Sequence, residues 1–263
     1  MALTFAVTGV ASGIGAELAS TLQARGHTVI GFDKADASAN VDRYIQMDLN
    51  DPASIKAAAA QIDTPLDGLC NNAGIPPRLG TEALILSVNF IGQRQFTKAM
   101  VPHLKTGASI ANMASRAGRH WPENAEQNKR LAALTSKDQL AKFVVDEGLD
   151  PTACYNLSKQ AMILWTFAMT EPLLARDIRI NAISPAAVST GILDDFKRAF
   201  GDKVTENIAR AGRAGTAKEV AEVVAFILSP ESFWIKGADL HVDGGMGGFN
   251  MTDELGLEGF RLT

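Results

Sequence analysis

Cysteine is scarce in this chain: there are two in 263 residues, Cys70 and Cys154, and neither falls in a CxxC or metal-ligand spacing. That excludes a disulfide scaffold and leaves both thiols with a structural role in a reduced protein. The four histidines, His27, His103, His120 and His241, stand apart from one another, so no metal site is expected. An excess of basic charge is also missing. Lys and Arg number 25 against 29 Asp and Glu, a formal net charge of −4, which argues against nucleic acid or an anionic membrane as partner. No apolar run reaches transmembrane length, and the opening "MALTFAVTGV" has no basic segment ahead of its apolar residues. Secretion and membrane insertion are therefore not expected, and a cytoplasmic location is.

What is present is an ordinary globular composition, 46% hydrophobic and 21% charged, long enough for one large α/β domain spanning residues 1–263. Short apolar runs alternate with helical patterns along its length. "LTFAVTG", "HTVIGFD", "YIQMDL", "DGLCNNAG", "GASIANMAS", "IRINAISP" and "ADLHVDGG" read as seven strands. Between them, "GAELASTLQARG", "DPASIKAAAAQI", residues 83–104, residues 154–176 and "AKEVAEVVAFIL" read as helices, the second with Asn50 as its N-cap and Pro52 in its first turn. Repeated strand and helix order predicts a doubly wound, mostly parallel seven-stranded sheet of the Rossmann type, with helices on both faces. Ligands of such a sheet bind beyond the carboxyl ends of the strands, where the strand order reverses.

The first motif sits at such a place. "TGVASGIG", residues 8–15, follows strand one and opens a helix. Gly9 supplies the tight turn, Gly13 lets a pyrophosphate approach the backbone, and Gly15 lets helix and strand pack closely, while Ser12 and Ile14 lie in the same turn. Free N–H groups at the helix start then face the anion. Asp33, 18 residues after Gly15 at the end of strand two, is placed to accept from both ribose hydroxyls of NAD, and its charge opposes the 2′-phosphate of NADP. NAD is the expected cofactor, with Lys34 as the contrary signal unless it faces solvent. Asp48, with Leu49 beside it, is a candidate acceptor for the adenine amino group, or simply a turn residue.

"TACYNLSKQ" places Tyr155 and Lys159 four residues apart on a helix, hence on one face. A surface pair is the plain reading. The chemical reading is that the ammonium turns the phenol into a base. A free tyrosine has a pKa of about 10, and lowering it by about three units requires roughly 4 kcal/mol. One positive charge about 4 Å away supplies about that at an effective dielectric of 20.

Taken together, "TGVASGIG", "NNAG", Ser115 after strand five, "YNLSK" and "PAAVST" in that order resemble the short-chain dehydrogenase/reductase family over almost the whole chain. The resemblance implies that Asn72, Ala73 and Gly74 line the adenosine-ribose side. It also implies that Pro185 to Thr190, Val188 included, bind the nicotinamide carboxamide, and that Asn89, Ser115, Tyr155 and Lys159 form the catalytic set. In that set Ser115 would hydrogen-bond the substrate oxygen, and Asn89 would hold a water linking Lys159 to solvent, unless it is simply a satisfied buried amide. Ala186 stands where the family usually has glycine. Residues 116 to 154, 39 in all, separate Ser115 from Tyr155, far more than is usual, and this insertion looks most like the bacterial 3α-hydroxysteroid dehydrogenase/carbonyl reductase and coniferyl-alcohol dehydrogenase branch. The implied activity is hydride transfer between NAD and a hydroxysteroid or aromatic alcohol, or the corresponding ketone. The alternatives are an NADPH-linked carbonyl reductase and a catalytically silent dinucleotide-binding protein. A homo-oligomer, dimer or tetramer, is expected.

Two segments are candidates for the substrate pocket. The insertion (116–153) should hold short helices near 123–133 and 136–147, with Trp121 and Phe143 either contacting substrate or forming a small core of their own. Residues 191–211 are a second candidate lid, with Ile192 and Phe196 facing the substrate.

Overall fold

The computed structural model describes residues 2–260. Strand β1 (Thr4–Thr8) leads through the glycine turn into α1 (Gly13–Ala24), and β2 (Thr28–Asp33) and β3 (Arg43–Gln46) follow. Helix α2 (Pro52–Ala59) is capped by Asp51, whose side chain accepts from the Ala53 N–H at 2.9 Å. The cap is thus one residue later than expected, because the Asn50 side chain is engaged as acceptor for Ser87 Oγ at 2.7 Å. Strand β4 (Leu66–Asn71) comes next.

The expected long helix over 83–104 is broken. It consists of α3 (Glu82–Leu86), a π-helical stretch (Ser87–Gly92), α4 (Gln93–Met100) and a closing 3₁₀ turn (Val101–His103). Pro102 in that turn has no N–H to donate, which ends the helix, and β5 (Leu104–Met113) starts earlier than the sequence suggested. The insertion forms α5 (Ala125–Ala132) and α6 (Lys137–Asp146), the latter opened by a Ser136/Gln139 capping box. Helix α7 (Pro151–Leu174) starts at an Asp150 cap with Pro151 in its first turn, and β6 (Arg179–Pro185) follows.

After β6 the chain makes β7 (Val188–Ser189), two helices that no sequence pattern announced, α8 (Leu193–Phe200) and α9 (Asp202–Arg210), and β8 (Gly215–Thr216). Helix α10 (Ala217–Leu228) begins with a second capping box, Thr216 with Glu219. Strand β9 (Asp239–Val242) is shorter than expected, and an unforeseen α11 (Met246–Leu255) follows it.

The main sheet has the order β3-β2-β1-β4-β5-β6-β9, every neighbouring pair parallel, and β7 pairs with β8 in a separate two-stranded ladder. Both faces are covered, which is why its strands read as continuous apolar runs. Leu18, Leu22, Val220 and Val224 from α1 and α10 fill one face. Ile55, Phe96, Met100 and Leu173 fill the other, where Phe32 and Phe96 meet edge to face at 4.9 Å. The strand order reverses between β1 and β4, so a crevice opens beyond their carboxyl ends. Among the described residues, no helix is long and apolar enough to cross a membrane.

Candidate active site

The crevice is a cleft of about 660 Å³ running from the β1–α1 turn to α8, α9 and α11. At one end the glycine turn is built as its spacing requires. Gly9 has φ +77°, and a Cβ there would lie 2.8 Å from Ala73 Cα. A Cβ on Gly15 would lie 2.1 Å from the Gly9 carbonyl oxygen, so helix and turn meet with no room for a side chain. Gly13 (φ +59°) is different: its nearest neighbour would be Thr190 Cγ2 at 3.6 Å, and it faces the open cleft together with Ser12 and Ile14. The first N–H groups of α1 have no intrahelical partners, and the Ser12 side chain does not cap them. This is a cradle for an anion, and its fit to a pyrophosphate is steric as well as electrostatic.

The turn is held from β4. Thr8 Oγ1 accepts from the N–H groups of Asn72 (2.9 Å) and Ala73 (3.0 Å), and Asn72 Nδ2 donates to the carbonyls of Thr8 (3.0 Å) and Gly9 (3.3 Å). Asn72, Ala73 and Gly74 line the cleft. Asp33 closes β2 and also lines it, with one carboxylate oxygen accepting from Ala11 N–H at 2.9 Å and the other from Ala35 N–H at 3.1 Å. Lys34 is 78% exposed and reaches Asp48 at 2.9 Å. Burial works to raise the Asp48 carboxyl, but Lys34 and the Asn50 N–H outweigh it, and its pKa lies below the ordinary value. Asp48 and Leu49 line the cleft beside this pair, as do Pro185, Val188 and Thr190 farther along.

At the centre of the cleft stand Ser115, Tyr155 and Lys159. Ser115 is extended (φ −173°) just past β5, where it caps a short 3₁₀ turn over Arg116–Gly118 and accepts from the Ala117 N–H. Its hydroxyl is close enough to the Tyr155 phenol to favour the ionised form. Tyr155 and Lys159 share one face of α7, with the Lys159 Nζ 5.6 Å from the Tyr155 ring centroid. The ammonium donates to the Met113 carbonyl at 2.8 Å. Burial pushes the Tyr155 phenol up to about 12, against a smaller lowering by Ser115, and pushes Lys159 down to about 8. Both shifts are set by desolvation of the charged forms in the protein alone; the lowered phenol expected from the sequence also draws on the positive charge of the oxidised cofactor.

Asn89 does not line the cleft. It is 1% exposed, and its amide clamps the loop after β4, accepting from Ile75 N–H at 2.8 Å and donating to Ile75 O at 3.0 Å. Its side chain also donates to Ser158 Oγ at 3.5 Å, and Oδ1 and Lys159 Nζ converge on Gly74. Trp121 and Phe143 also differ from the substrate-contact expectation. Trp121 packs edge to face on Phe167 of α7 at 5.3 Å, and Phe143 is 7% exposed in a cluster with Leu131, Leu140 and α7. Helices α5 and α6 bury their own apolar faces against α7 and α3. Only the first residues of the insertion, Arg116, Ala117 and Arg119, reach the cleft.

The segment 191–211 does cover the cleft. Ile192 and Phe196 line it, and Phe196 meets the Tyr155 ring edge to face at 5.2 Å. Phe200, one turn farther along α8, does so at 6.3 Å and escaped the sequence reading, although its i, i+4 spacing from Phe196 was a usable signal. Met246 and Asn250 of α11 complete the wall without any such signal. The covering helices are tied down at two points. Asp195 of α8 pairs with Arg78 (2.7 Å) and Arg198 (2.5 Å), and Arg210 of α9 pairs with Asp253 (2.5 Å) and lies 4.9 Å over the Phe249 ring of α11.

A family model described as short chain dehydrogenase matches residues 4–126, and one described as Enoyl-(Acyl carrier protein) reductase matches residues 139–247. A coniferyl-alcohol dehydrogenase from Pseudomonas sp. is 37% identical over 91% of this chain and 94% of its own length. The 3-alpha-hydroxysteroid dehydrogenase/carbonyl reductase of Comamonas testosteroni is 28% identical over 91% of this chain and 95% of its own. Among solved structures, the 3-alpha-hydroxysteroid dehydrogenase from Pseudomonas sp. B-0831 complexed with NADH superposes with a TM-score of 0.83 at 29% identity, covering 94% of this chain and 98% of that one.

Proposed function

This chain belongs to the short-chain dehydrogenase family of oxidoreductases, and on that premise we propose that it transfers hydride between NAD and a hydroxysteroid or coniferyl-type aromatic alcohol, with Tyr155 as the acid and base. The observation that carries this reading is the convergence of Ser115, Tyr155 and Lys159 in the same cleft as the glycine turn. The hydroxysteroid and coniferyl-alcohol dehydrogenases it resembles support the substrate class. The apolar wall of Ile192, Phe196 and Phe200 suits a ring system.

The residues that would hold the dinucleotide are Gly13 and Ile14 at the pyrophosphate and Asp33 at the adenosine ribose. Asn72 and Gly74 would lie alongside the chain, and Pro185, Val188 and Thr190 at the nicotinamide. The bound nicotinamide supplies a hydride acceptor, and its positive charge in the oxidised form. Ser115 hydrogen-bonds the substrate oxygen and stabilises charge gathering there. In oxidation the carbinol C–H bond breaks with its electron pair leaving as hydride, the O–H proton passes to Tyr155 Oη, and a C=O bond forms. Reduction runs the same path backwards, the Tyr155 proton going to the carbonyl oxygen. At neutral pH the buried phenol is protonated, ready for the reductive direction. Lys159 stays cationic below about 8 and supplies, together with the oxidised cofactor, the field that oxidation needs.

NAD is favoured over NADP by two features: Asp33 presents its carboxylate to the cleft, and the adjacent Lys34 is engaged by Asp48. The same reading takes the protein as a homo-oligomer, for which light scattering after size exclusion is the direct measurement. The test of activity is a spectrophotometric screen of 3α-hydroxy steroids and cinnamyl alcohols with NAD⁺, repeated with Tyr155→Phe. Turnover by the parent and none by the variant, with NADH still bound by both, is the expected result. An active Tyr155→Phe enzyme removes the assigned base, and NADH binding without turnover of any alcohol or carbonyl favours a silent dinucleotide-binding protein.

A further inference from the structure

Arg116 follows Ser115 in the chain and lines the cleft, yet its polar atoms are engaged by residues outside that lining. Its Nε lies 3.3 Å from Asp243 Oδ2, and the two side chains are 14% and 10% exposed. Its Nη1 donates to His241 Nδ1 at 3.3 Å, which leaves the imidazole proton on Nε2, 3.4 Å from the Asp239 carboxylate. Asp239 in turn accepts from Ser184 Oγ at 2.6 Å. The guanidinium is therefore held by the protein itself.

It stands where three elements meet. The first is the 3₁₀ turn Arg116–Gly118, capped by Ser115, which lies tight on α7: a Cβ on Gly118 would be 2.8 Å from Ile163 Cδ1 and 3.0 Å from the Lys159 carbonyl carbon. The second is β9, the edge strand of the sheet, which carries Asp239 and His241. The third is α11. Asp243 precedes it, with Oδ1 accepting from the Gly245 N–H at 3.0 Å and Oδ2 from the Gly247 N–H at 2.8 Å. A helix start leaves such N–H groups without intrahelical partners, so the carboxylate fixes the direction in which α11 sets out. A Cβ on Gly247 would lie 3.0 Å from Arg116 Nη1, so the missing side chain lets the guanidinium reach the first turn of the helix. From that helix Met246 and Asn250 line the cleft. A buried ion pair adds little net stability over apolar side chains of the same volume; what it adds is direction.

We propose that Arg116 is a positioning residue: through Asp243 it ties the start of α11 to the turn that begins at Ser115, and so sets the Met246 and Asn250 wall relative to the serine hydroxyl. The proposal rests on the oxidoreductase reading above, and it adds Arg116 and Asp243 to the residues on which that reaction depends. Without the tie, Ser115 loses its placement against the substrate oxygen, which lowers kcat. The wall loses its placement against the substrate's ring system, which raises KM.

The experiment uses Arg116→Met and the double variant Arg116→Met, Asp243→Asn, which leaves no unpaired buried carboxylate and so guards against a chain that fails to fold. Both should lose kcat/KM for a 3α-hydroxy steroid or a cinnamyl alcohol by roughly 10- to 100-fold, the cost of misplaced contacts, with NADH affinity unchanged. The double variant should be no worse than the single one, as for two groups that act as a unit. Arg116→Lys, whose ammonium keeps the charge facing Asp243, should recover part of the loss. Phe143→Ala, destabilised by lost packing away from the cleft, should keep the parent's kcat/KM, which separates positioning from stability. Hydrogen exchange read by mass spectrometry is independent of turnover: both Arg116→Met variants should exchange faster over 115–118 and 244–250, and not over the glycine turn 9–15. Parental kcat/KM in the double variant, or unchanged exchange in those two segments, overturns the proposal and leaves the redox reading intact. A parent that turns over no alcohol or carbonyl removes the redox reading instead, and faster exchange confined to the two segments then still upholds the tie.

Discussion

The Lys159 ammonium stands 5.6 Å from the centre of the Tyr155 ring, yet its hydrogen bond goes to the Met113 carbonyl, 2.8 Å away. The cation is thus anchored to the end of β5 rather than to the phenol. That anchor fixes it where its field acts on whatever occupies the cleft, at the cost of removing a charge from water.

Replacing Lys159 with Met separates these two consequences. Burial holds the Lys159 pKa near 8 in the folded protein against the ordinary 10.5. Below pH 8 the lysine is charged in both folded and unfolded chains, so the native state bears the full desolvation penalty. Above 10.5 it is neutral in both, and the penalty is gone. The stability of Lys159→Met relative to the parent should therefore improve by about 3 kcal/mol as pH falls from 10.5 to 8 and then level off. Turnover should be lost. Urea melts across this range check it, and a pH-independent difference would contradict the buried charge.

Asp33 should control the choice of dinucleotide. Asp33→Ser removes a carboxylate from the ribose end without touching the Lys34–Asp48 pair. The ratio of NADPH to NADH affinity, read by fluorescence titration, should rise roughly tenfold or more. A parent enzyme that already binds NADPH as tightly as NADH would sink the assignment.

Two glycines of one turn should fail in different ways. In Gly15→Ala the new methyl meets the Gly9 carbonyl oxygen at 2.1 Å, an overpacking conflict of about 1–3 kcal/mol with backbone as the obstacle, so the melting temperature should drop. In Gly13→Ala the methyl has space, and the strain of φ +59° is the smaller cost. That variant should stay folded while NADH affinity falls, because the methyl occupies the face the pyrophosphate approaches. Differential scanning fluorimetry with and without NADH distinguishes the two.

Phe143→Ala should cost stability without changing specificity. The side chain is 7% exposed among Leu131, Leu140 and α7, so truncation should destabilise by about 3–5 kcal/mol. The ratio of kcat/KM between steroid and cinnamyl alcohols should be unaltered. A shifted ratio would return the insertion to the substrate site.

The glycine-turn end of this cleft was legible in the sequence because backbone constraints leave a mark there. Gly9 and Gly15 have no substitute at their positions, Asp33 terminates a strand, and Tyr155 and Lys159 are set by helical spacing. The end beneath α8 and α9 was only partly legible. Trp121 and Phe143 are as hydrophobic as Phe196 and Phe200, and nothing local says which pair turns toward a core and which toward a cleft. That is decided by where α5, α6, α8 and α9 pack. The break at Ser87–Gly92 was hidden for a related reason. Gly92 there approaches the Leu49 carbonyl, distant in sequence, so closely that a Cβ would lie at 2.1 Å.

The Arg210 link between α9 and α11 has a dynamic consequence. A guanidinium that both grips Asp253 and covers the Phe249 ring makes the roof of the cleft and the last helix travel as one body. On the proposed reaction, product release is expected to require a motion spanning two distant stretches of chain, and to quicken with added salt, because the Arg210–Asp253 fastening is ionic and solvent-facing.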